Sequence, residues 1–306
     1  MNLSQQIDTV QSISPKQFRE EYLKPQRPLI IKGLANDTPA GMTWSLDYFK
    51  TTMGDCRFDL YHYRGVNNSV LAFTRPDLQM KFGDYLDIIA KNERSDLRIF
   101  LFNMFKRNPQ LKKEFPCPEL FKGALNHVAH MFFCGRDTSV RMHYDIDLSN
   151  VLHTHFGGKK RVILIAPEYK AHLYCLPLNT YSLVDVHNPD YKKYPALLSV
   201  KGYDITLEHG DTLFMPSGYW HYMTYVQAGF SVSYRKMAGG LPKKLGGLTN
   251  LCLRMPLDIM LNRLLGPRWL ERKKMMAGKR AYRAIEKEYR RSIPAFTGEK
   301  QDITFV

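Results

Sequence analysis

The chain has 306 residues, 44% of them hydrophobic, with 44 Lys+Arg against 29 Asp+Glu and a formal net charge of +15. This length allows one large domain or a domain with an extension, and its apolar share is enough for a sizeable core. No apolar run approaches the roughly 20 residues that cross a bilayer, which excludes a membrane-spanning helix.

Residues 1–50 predict helices with one strand. Ser14-Pro15 opens a helix, with Pro in the first turn and Glu20 and Glu21 after it, and residues 28–32 form the strand. The first residues, Met1-Asn2-Leu3-Ser4-Gln5-Gln6, lack the charged and apolar parts of a secretory leader. Residues 55–138 mix strands with helices, the latter including 82–91 and 108–115. From 139 to 237 strands dominate: 139–144 and 151–166 are rich in Val, His, Ile, Leu and Phe and are split by turn formers. Residues 211–216 read as a short strand between two turns, and His221 follows the Ser217-Gly218 turn. Cys56, Cys117, Cys134, Cys175 and Cys252 are scattered, with no Cys-x-x-Cys pair, as free thiols in a reducing compartment would be. The expected location is the cytoplasm.

Two pieces carry chemistry. One is His143-Tyr144-Asp145, the other the run Gly210-Asp211-Thr212-Leu213-Phe214-Met215-Pro216-Ser217-Gly218-Tyr219-Trp220-His221. Two imidazoles and one carboxylate make the facial triad that holds Fe(II) while leaving positions open. Side chains two apart share a strand face, so Arg141, His143 and Asp145 point the same way if the strand is regular. A lone His-x-Asp is commonly a hydrogen-bonded pair without metal; the Gly-Asp…Trp-His run is far rarer, and the two together argue for the mouth of a small β-barrel.

Further motifs fall in order between about Ile13 and Met237. They are Phe18-Arg19-Glu20-Glu21-Tyr22, Arg27-Pro28-Leu29-Ile30-Ile31-Lys32-Gly33-Leu34, Trp44-Ser45-Leu46-Asp47-Tyr48, Gly158-Lys159-Lys160-Arg161 with Ala166-Pro167-Glu168, and Asn188-Pro189-Asp190-Tyr191 with Tyr194-Pro195. With the triad, this set resembles the cupin-fold JmjC-type Fe(II)/2-oxoglutarate oxygenases, and within them the branch containing the asparaginyl hydroxylase of hypoxia-inducible factor. The resemblance implies a mainly β fold with α: a double-stranded β-helix (jelly-roll, cupin) barrel with N-terminal helices and a C-terminal helical extension. It implies a catalytic domain over 1–238, with the core barrel at about 130–237, and an extension over 239–306.

The same resemblance implies that His143, Asp145 and His221 are the metal ligands and that Fe(II), 2-oxoglutarate and O2 are the cofactor and cosubstrates. Lys160 stands where the family carries the lysine that binds the far (C5) carboxylate of 2-oxoglutarate, as a point charge making a charge-assisted hydrogen bond. Lys159 is expected to face solvent. Two positions depart from the relative: Val140 replaces a Thr and Phe100 a Tyr that also grip that carboxylate. A buried carboxylate needs other donors, and Arg141 and Arg235 are candidates; Arg235 alternatively pairs with an acid at the barrel rim. His153 is a candidate cosubstrate contact. His153 and His155 alternate on one strand face, and with His143 they could also be read as a zinc site.

After Gly239-Gly240-Leu241-Pro242 the chain turns helical and basic. Between 241 and 300, 15 Lys+Arg face 5 Asp+Glu. Leu257, Met260, Leu261, Leu264 and Leu265 recur at helical spacing, as do Tyr282, Ile285 and Tyr289. The apolar stripe is expected to face inward or a twin in a homodimer. The run Arg272-Lys273-Lys274, Lys279-Arg280, Arg283 and Arg290-Arg291 suggests an RNA, ribosome or anionic-lipid contact. The expected function is a hydroxylase of a protein or peptide side chain. The alternatives are an RNA (tRNA) or small-molecule hydroxylase of the same family, and a metal-binding cupin module without turnover. Residues 176–203 and the N-terminal segment are expected to flank the barrel mouth.

Overall fold

Ser14 caps the first helix as its sequence requires: its hydroxyl accepts the Gln17 N–H at 3.2 Å and Pro15 takes the first turn. The structure, a computed structural model, describes residues 1–62, 76–123 and 129–292. The first half runs β1 (Asp8–Val10), α1 (Pro15–Phe18), β2 (Leu29–Ile31), α2 (Pro39–Thr43), α3 (Leu46–Met53), β3 (Arg57–His62), β4 (Leu78–Lys81), α4 (Phe82–Ala90), β5 (Leu97–Phe102), α5 (Met104–Arg107) and α6 (Gln110–Glu114). Then come β6 (His130–Cys134), β7 (Ser139–His143), β8 (Asn150–Phe156), β9 (Lys160–Ile165), β10 (Gly202–Leu207), β11 (Thr212–Met215), β12 (Trp220–Tyr225) and β13 (Gly229–Lys236). Helices α7 (Leu241–Thr249), α8 (Met255–Leu265) and α9 (Pro267–Ser292) close the described chain.

The strands form a nine-stranded sheet, β1-β2-β11-β8-β13-β6-β5-β3-β4, and a four-stranded sheet, β10-β9-β12-β7. From β6 onward the chain alternates between the two sheets, except that β9 and β10 are neighbours in the smaller one, which gives the double-stranded β-helix of a jelly roll. The period-two alternation of each strand sorts its side chains. On β9, Val162 and Leu164 point between the sheets, while Ile163 and Ile165 point outward. On β13, Phe230, Val232 and Tyr234 leave the barrel and join an aromatic core with Phe18, Phe49, Phe82 and Phe133 under the N-terminal helices. Ser231, Ser233 and Arg235 therefore face inward.

The outer face of the smaller sheet is covered by the 173–200 segment and by α9, through Ala277 and Ala281. The helices after Gly239 thus lie on the barrel. Gly247 shows how closely: a Cβ there would stand 2.4 Å from the Asp147 carbonyl oxygen. Among the described residues no helix is long and apolar enough to cross a membrane.

Of two expectations for this region, one holds in part and one is corrected. The apolar stripe of α8 is only partly inward: Met260 and Leu264 are exposed, because the inner side of α8 is given over to a buried polar cluster. Lys273, expected among the surface cations, is fully buried against Asp258, with Nζ–Oδ1 at 2.8 Å. Trp269 Nε1 and Asn179 Nδ2 donate to the same carboxylate at 2.7 and 3.1 Å. This cluster pins α8 and α9 to the segment after β9. Replacing Lys273 by Met should cost about 3–5 kcal/mol of stability, since it strands a buried carboxylate. The pair Asp258→Leu with Lys273→Met should recover much of that loss in a denaturant melt.

Candidate metal and cosubstrate site

His143 ends β7 and His221 sits one residue into β12, and the two are directly paired across the smaller sheet. Their ring centroids are 4.2 Å apart. The Ser217-Gly218 turn delivers β12 to this place, with Gly218 at φ +81, a conformation that favours glycine. Asp145 follows β7 in the loop. One ligand atom from each of the three lies within 4.8 Å of the others, the only such His/Cys/Asp/Glu group among the described residues.

Each imidazole is oriented from behind. His143 Nδ1 lies 2.8 Å from the Arg141 carbonyl and His221 Nδ1 3.2 Å from that of Tyr219. Donation from Nδ1 leaves both Nε2 lone pairs for a metal, the arrangement typical of metal-binding histidines. Burial, with the His221 ring beside it, pushes the His143 pKa down to about 3, so the ligand is neutral. Burial alone would raise the Asp145 carboxyl, but the charge and hydrogen bond of Arg235 overcome it and hold the group well below the usual carboxylate range. The donor set therefore fits a divalent iron: two neutral nitrogens and one carboxylate, with no further protein ligand among the described residues to close the shell.

Arg235 is placed by its acids. Nη2 reaches Asp145 Oδ1 at 3.0 Å and Nη1 reaches Asp147 Oδ1 at 3.3 Å. Of its two readings, the structure brings the pairing one into view, and the acid is a triad member. Arg141 is corrected. The β7–β12 register shifts between His221 and Met223, so Met223 faces Val140 instead of Arg141. This bulge puts Val140 with His143 on the cavity wall and turns Arg141 aside. Its guanidinium donates to the Ser182 carbonyl at 2.8 Å and lies over the Tyr181 ring.

Triad and Lys160 share a cavity of ≈ 360 Å³ between the sheets. Lys160 faces in and is 2% exposed, while Lys159 pairs with Glu208 at the surface. Among the described residues the Lys160 ammonium meets only neutral groups: His153 Nε2 at 2.8 Å, the Tyr225 hydroxyl at 3.1 Å and Ser231 Oγ at 3.2 Å. His153 in turn contacts Ser233 Oγ at 2.7 Å. It is a wall residue beside the lysine, and it lies outside the one candidate metal group; His155, likewise outside it, contacts Ser231 Oγ at 3.1 Å.

Several lining residues escaped the sequence reading. Tyr225 and Ser231 surround Lys160 and can supply the hydroxyls that Val140 lacks. The Phe100 side chain lies outside the described residues. Arg98 and His130 also line the cavity, as do Leu251, Met255 and Asp258 from the C-terminal helices. For Ser231 and Ser233 a signal existed: the alternation Phe230-Ser231-Val232-Ser233-Tyr234-Arg235 marks an inward polar face. Nothing local announced the C-terminal wall.

A buried ammonium without a counter-charge is costly. Burial lowers the Lys160 pKa to about 7. A bound carboxylate would favour the charged form, so binding above that pH must take up a proton. Affinity for such a carboxylate should then be full below about pH 7 and fall up to tenfold per unit above it. Calorimetry of 2-oxoglutarate with Zn(II)-loaded protein across pH should show this slope, and Lys160→Met should flatten it.

Comparison with known proteins gives a consistent picture. The family described as cupin-like domain matches residues 15–235. The chain is 25% identical over 237 residues to a Gallus gallus protein named tRNA wybutosine-synthesizing protein 5, covering 71% of this chain and 72% of that one. It is 26% identical over 247 residues to Danio rerio lysine-specific demethylase 8, covering 76% of this chain and 59% of that one. A Dictyostelium discoideum protein named JmjC domain-containing protein D is 26% identical over 246 residues, covering 72% of this chain and 53% of that one.

Proposed function

The chain belongs to the JmjC-type cupin-like family, and we propose that it is an Fe(II)- and 2-oxoglutarate-dependent hydroxylase whose target is a protein side chain. The observation that carries this reading is the pairing, in one cavity, of an open His143/Asp145/His221 set with a buried lysine that has no counter-ion among the described residues. Such a lysine asks for an anionic ligand, and the triad asks for a chelating one. 2-Oxoglutarate is both.

His143, Asp145 and His221 would hold the metal. When bound, iron and 2-oxoglutarate supply the oxidising power: O2 is consumed, the cosubstrate becomes succinate and CO2, and one oxygen atom enters a substrate C–H bond. The protein's part is positional. The Arg141 and Tyr219 carbonyls fix the two imidazoles, and Arg235 fixes the carboxylate. Lys160, with Tyr225 and Ser231 around it, receives the far carboxylate, and the sheets keep water away from the reacting atoms.

The cavity is at the small end of ligand sites, roughly 300–1,000 Å³, enough for the cosubstrate and the tip of a side chain. Leu251 and Met255 give its mouth an apolar wall. The rival, a cupin that binds metal without turnover, is separated by succinate release on addition of Fe(II), ascorbate and 2-oxoglutarate. Slow release that stops on metal removal supports the hydroxylase; none, with metal and cosubstrate both bound, supports the rival. A pull-down with the iron replaced by an inert metal would then capture the target.

A further inference from the structure

The charges of the cavity are already matched inside the protein, and this limits the kind of side chain that can enter. Among the described residues three carboxylates line it, Asp145, Asp147 and Asp258. Asp145 belongs to the triad and has Arg235 at 3.0 Å. Asp147 holds the other arm of Arg235 at 3.3 Å and accepts from Ser149 Oγ at 2.7 Å. Asp258 is occupied by Lys273, Trp269 and Asn179. The two internal segments outside the described residues, 63–75 and 124–128, contain no Asp or Glu.

Aromatic faces are the other place for a cation, and the three tyrosines of the cavity already have one each. The Arg141 guanidinium lies 4.6 Å from the Tyr181 ring centroid, the Lys160 ammonium 4.3 Å from that of Tyr225, and the Lys170 ammonium 4.9 Å from that of Tyr144. A divalent metal and a dicarboxylate would leave this sum unchanged. A lysine or arginine target would therefore be buried without a counter-charge, which is costly. An acidic target fares no better: Lys160 is taken by the cosubstrate, Arg235 lies between two acids, and Arg98 donates to the Ser139 carbonyl at 3.1 Å. The one amide of the lining, Asn179, donates to Asp258 and accepts the Thr180 and Tyr181 N–H groups at 2.7 and 3.1 Å.

What the wall still offers is apolar contact. Ile146, Leu178, Leu251 and Met255 line the cavity. They stand on its triad side, since Tyr181 lies beside His143 with ring centroids 5.5 Å apart and Asn179 joins Asp258 of α8. We infer that the site takes a neutral aliphatic side chain, of the size of leucine, isoleucine or valine, against Ile146, Leu178, Leu251 and Met255, and excludes cationic ones. The inference rests on the hydroxylase reading and names the class of its target.

The test is equilibrium dialysis of the full chain, loaded with Zn(II) and 2-oxoglutarate, against an equimolar pool of capped Gly-Ser-X-Ser-Gly peptides. X is Leu, Ile, Val, Asn, Glu, Lys, trimethyllysine or Arg, and mass spectrometry reads what is retained. Leu, Ile and Val should be retained about tenfold or more over Lys, trimethyllysine and Arg, the factor that burying one aliphatic side chain supplies. Met255→Glu and Leu251→Glu each place an uncompensated acid in this wall, and should bring the Lys and Arg peptides level with Leu or above it. A thermal melt at the parent's midpoint shows that each variant is folded; Leu251, 38% exposed, tolerates the charge if Met255 does not. Retention of any charged peptide as strong as that of Leu overturns the inference, as does a pool with no preference or a folded Glu variant with the parent's ranking. Retention needs no turnover, so the hydroxylase reading fails separately, by the absence of succinate when Fe(II) replaces Zn(II).

Discussion

Alanine at His143, Asp145 or His221 should abolish both iron uptake and succinate formation. Each residue supplies one of three ligands, and two ligands on opposite strands do not hold a labile divalent ion. Asp145→Ala should be the most damaging, because Arg235, 9% exposed and 3.0 Å away, would then direct its charge at the metal with only Asp147 to balance it. Removing a residue that merely orients a ligand typically costs about 10–100-fold in metal affinity. Arg235→Ala is expected in that range, clearly milder than the triad variants. Metal content per chain and succinate release measure both. Three triad variants with full metal content and turnover would refute the assignment.

Lys160→Ala is expected to raise the 2-oxoglutarate requirement by a factor of tens to thousands while leaving metal binding nearly intact. Truncating one partner of a buried charged pair costs about 2–5 kcal/mol, and no other ammonium of the described residues replaces it at this end of the cavity. Lys159→Ala should have little effect, since its side chain is half exposed beside Glu208. The opposite ranking would mean that β9 is displaced by one residue, which exchanges its two faces. Titration of each variant with 2-oxoglutarate reads the difference.

That ranking was legible in the sequence because a strand has only two faces. Once β9 is recognised, Lys160 and Lys159 must point apart, and Val162 and Leu164 show which face is interior. The triad was legible for a similar reason: the Gly210-Asp211 and Ser217-Gly218 turns bound β11 and aim the following strand. Arg141 was not. The bulge that exchanges its place with Val140 has no Gly or Pro to mark it and follows from the pairing with β12. Lys273 was not legible either. In the run Arg272-Lys273-Lys274 nothing distinguishes the middle residue, and its burial depends on Asp258 on the preceding helix and Asn179 far earlier. The C-terminal segment read as an extension for the same reason, although Leu251 and Met255 reach the cavity. Contacts made by tertiary packing alone leave no period in the sequence.

The central claim is that the triad and Lys160 form one site for a metal-chelated dicarboxylate. Anaerobic calorimetric titration of 2-oxoglutarate into apo and Fe(II)-loaded protein tests it most directly. One equivalent of 2-oxoglutarate should bind per chain, only when the metal is present, and 2-oxobutyrate, which lacks the far carboxylate, should bind far more weakly. Equal binding to the apo and loaded forms, or equal affinity for the two keto acids, would contradict it.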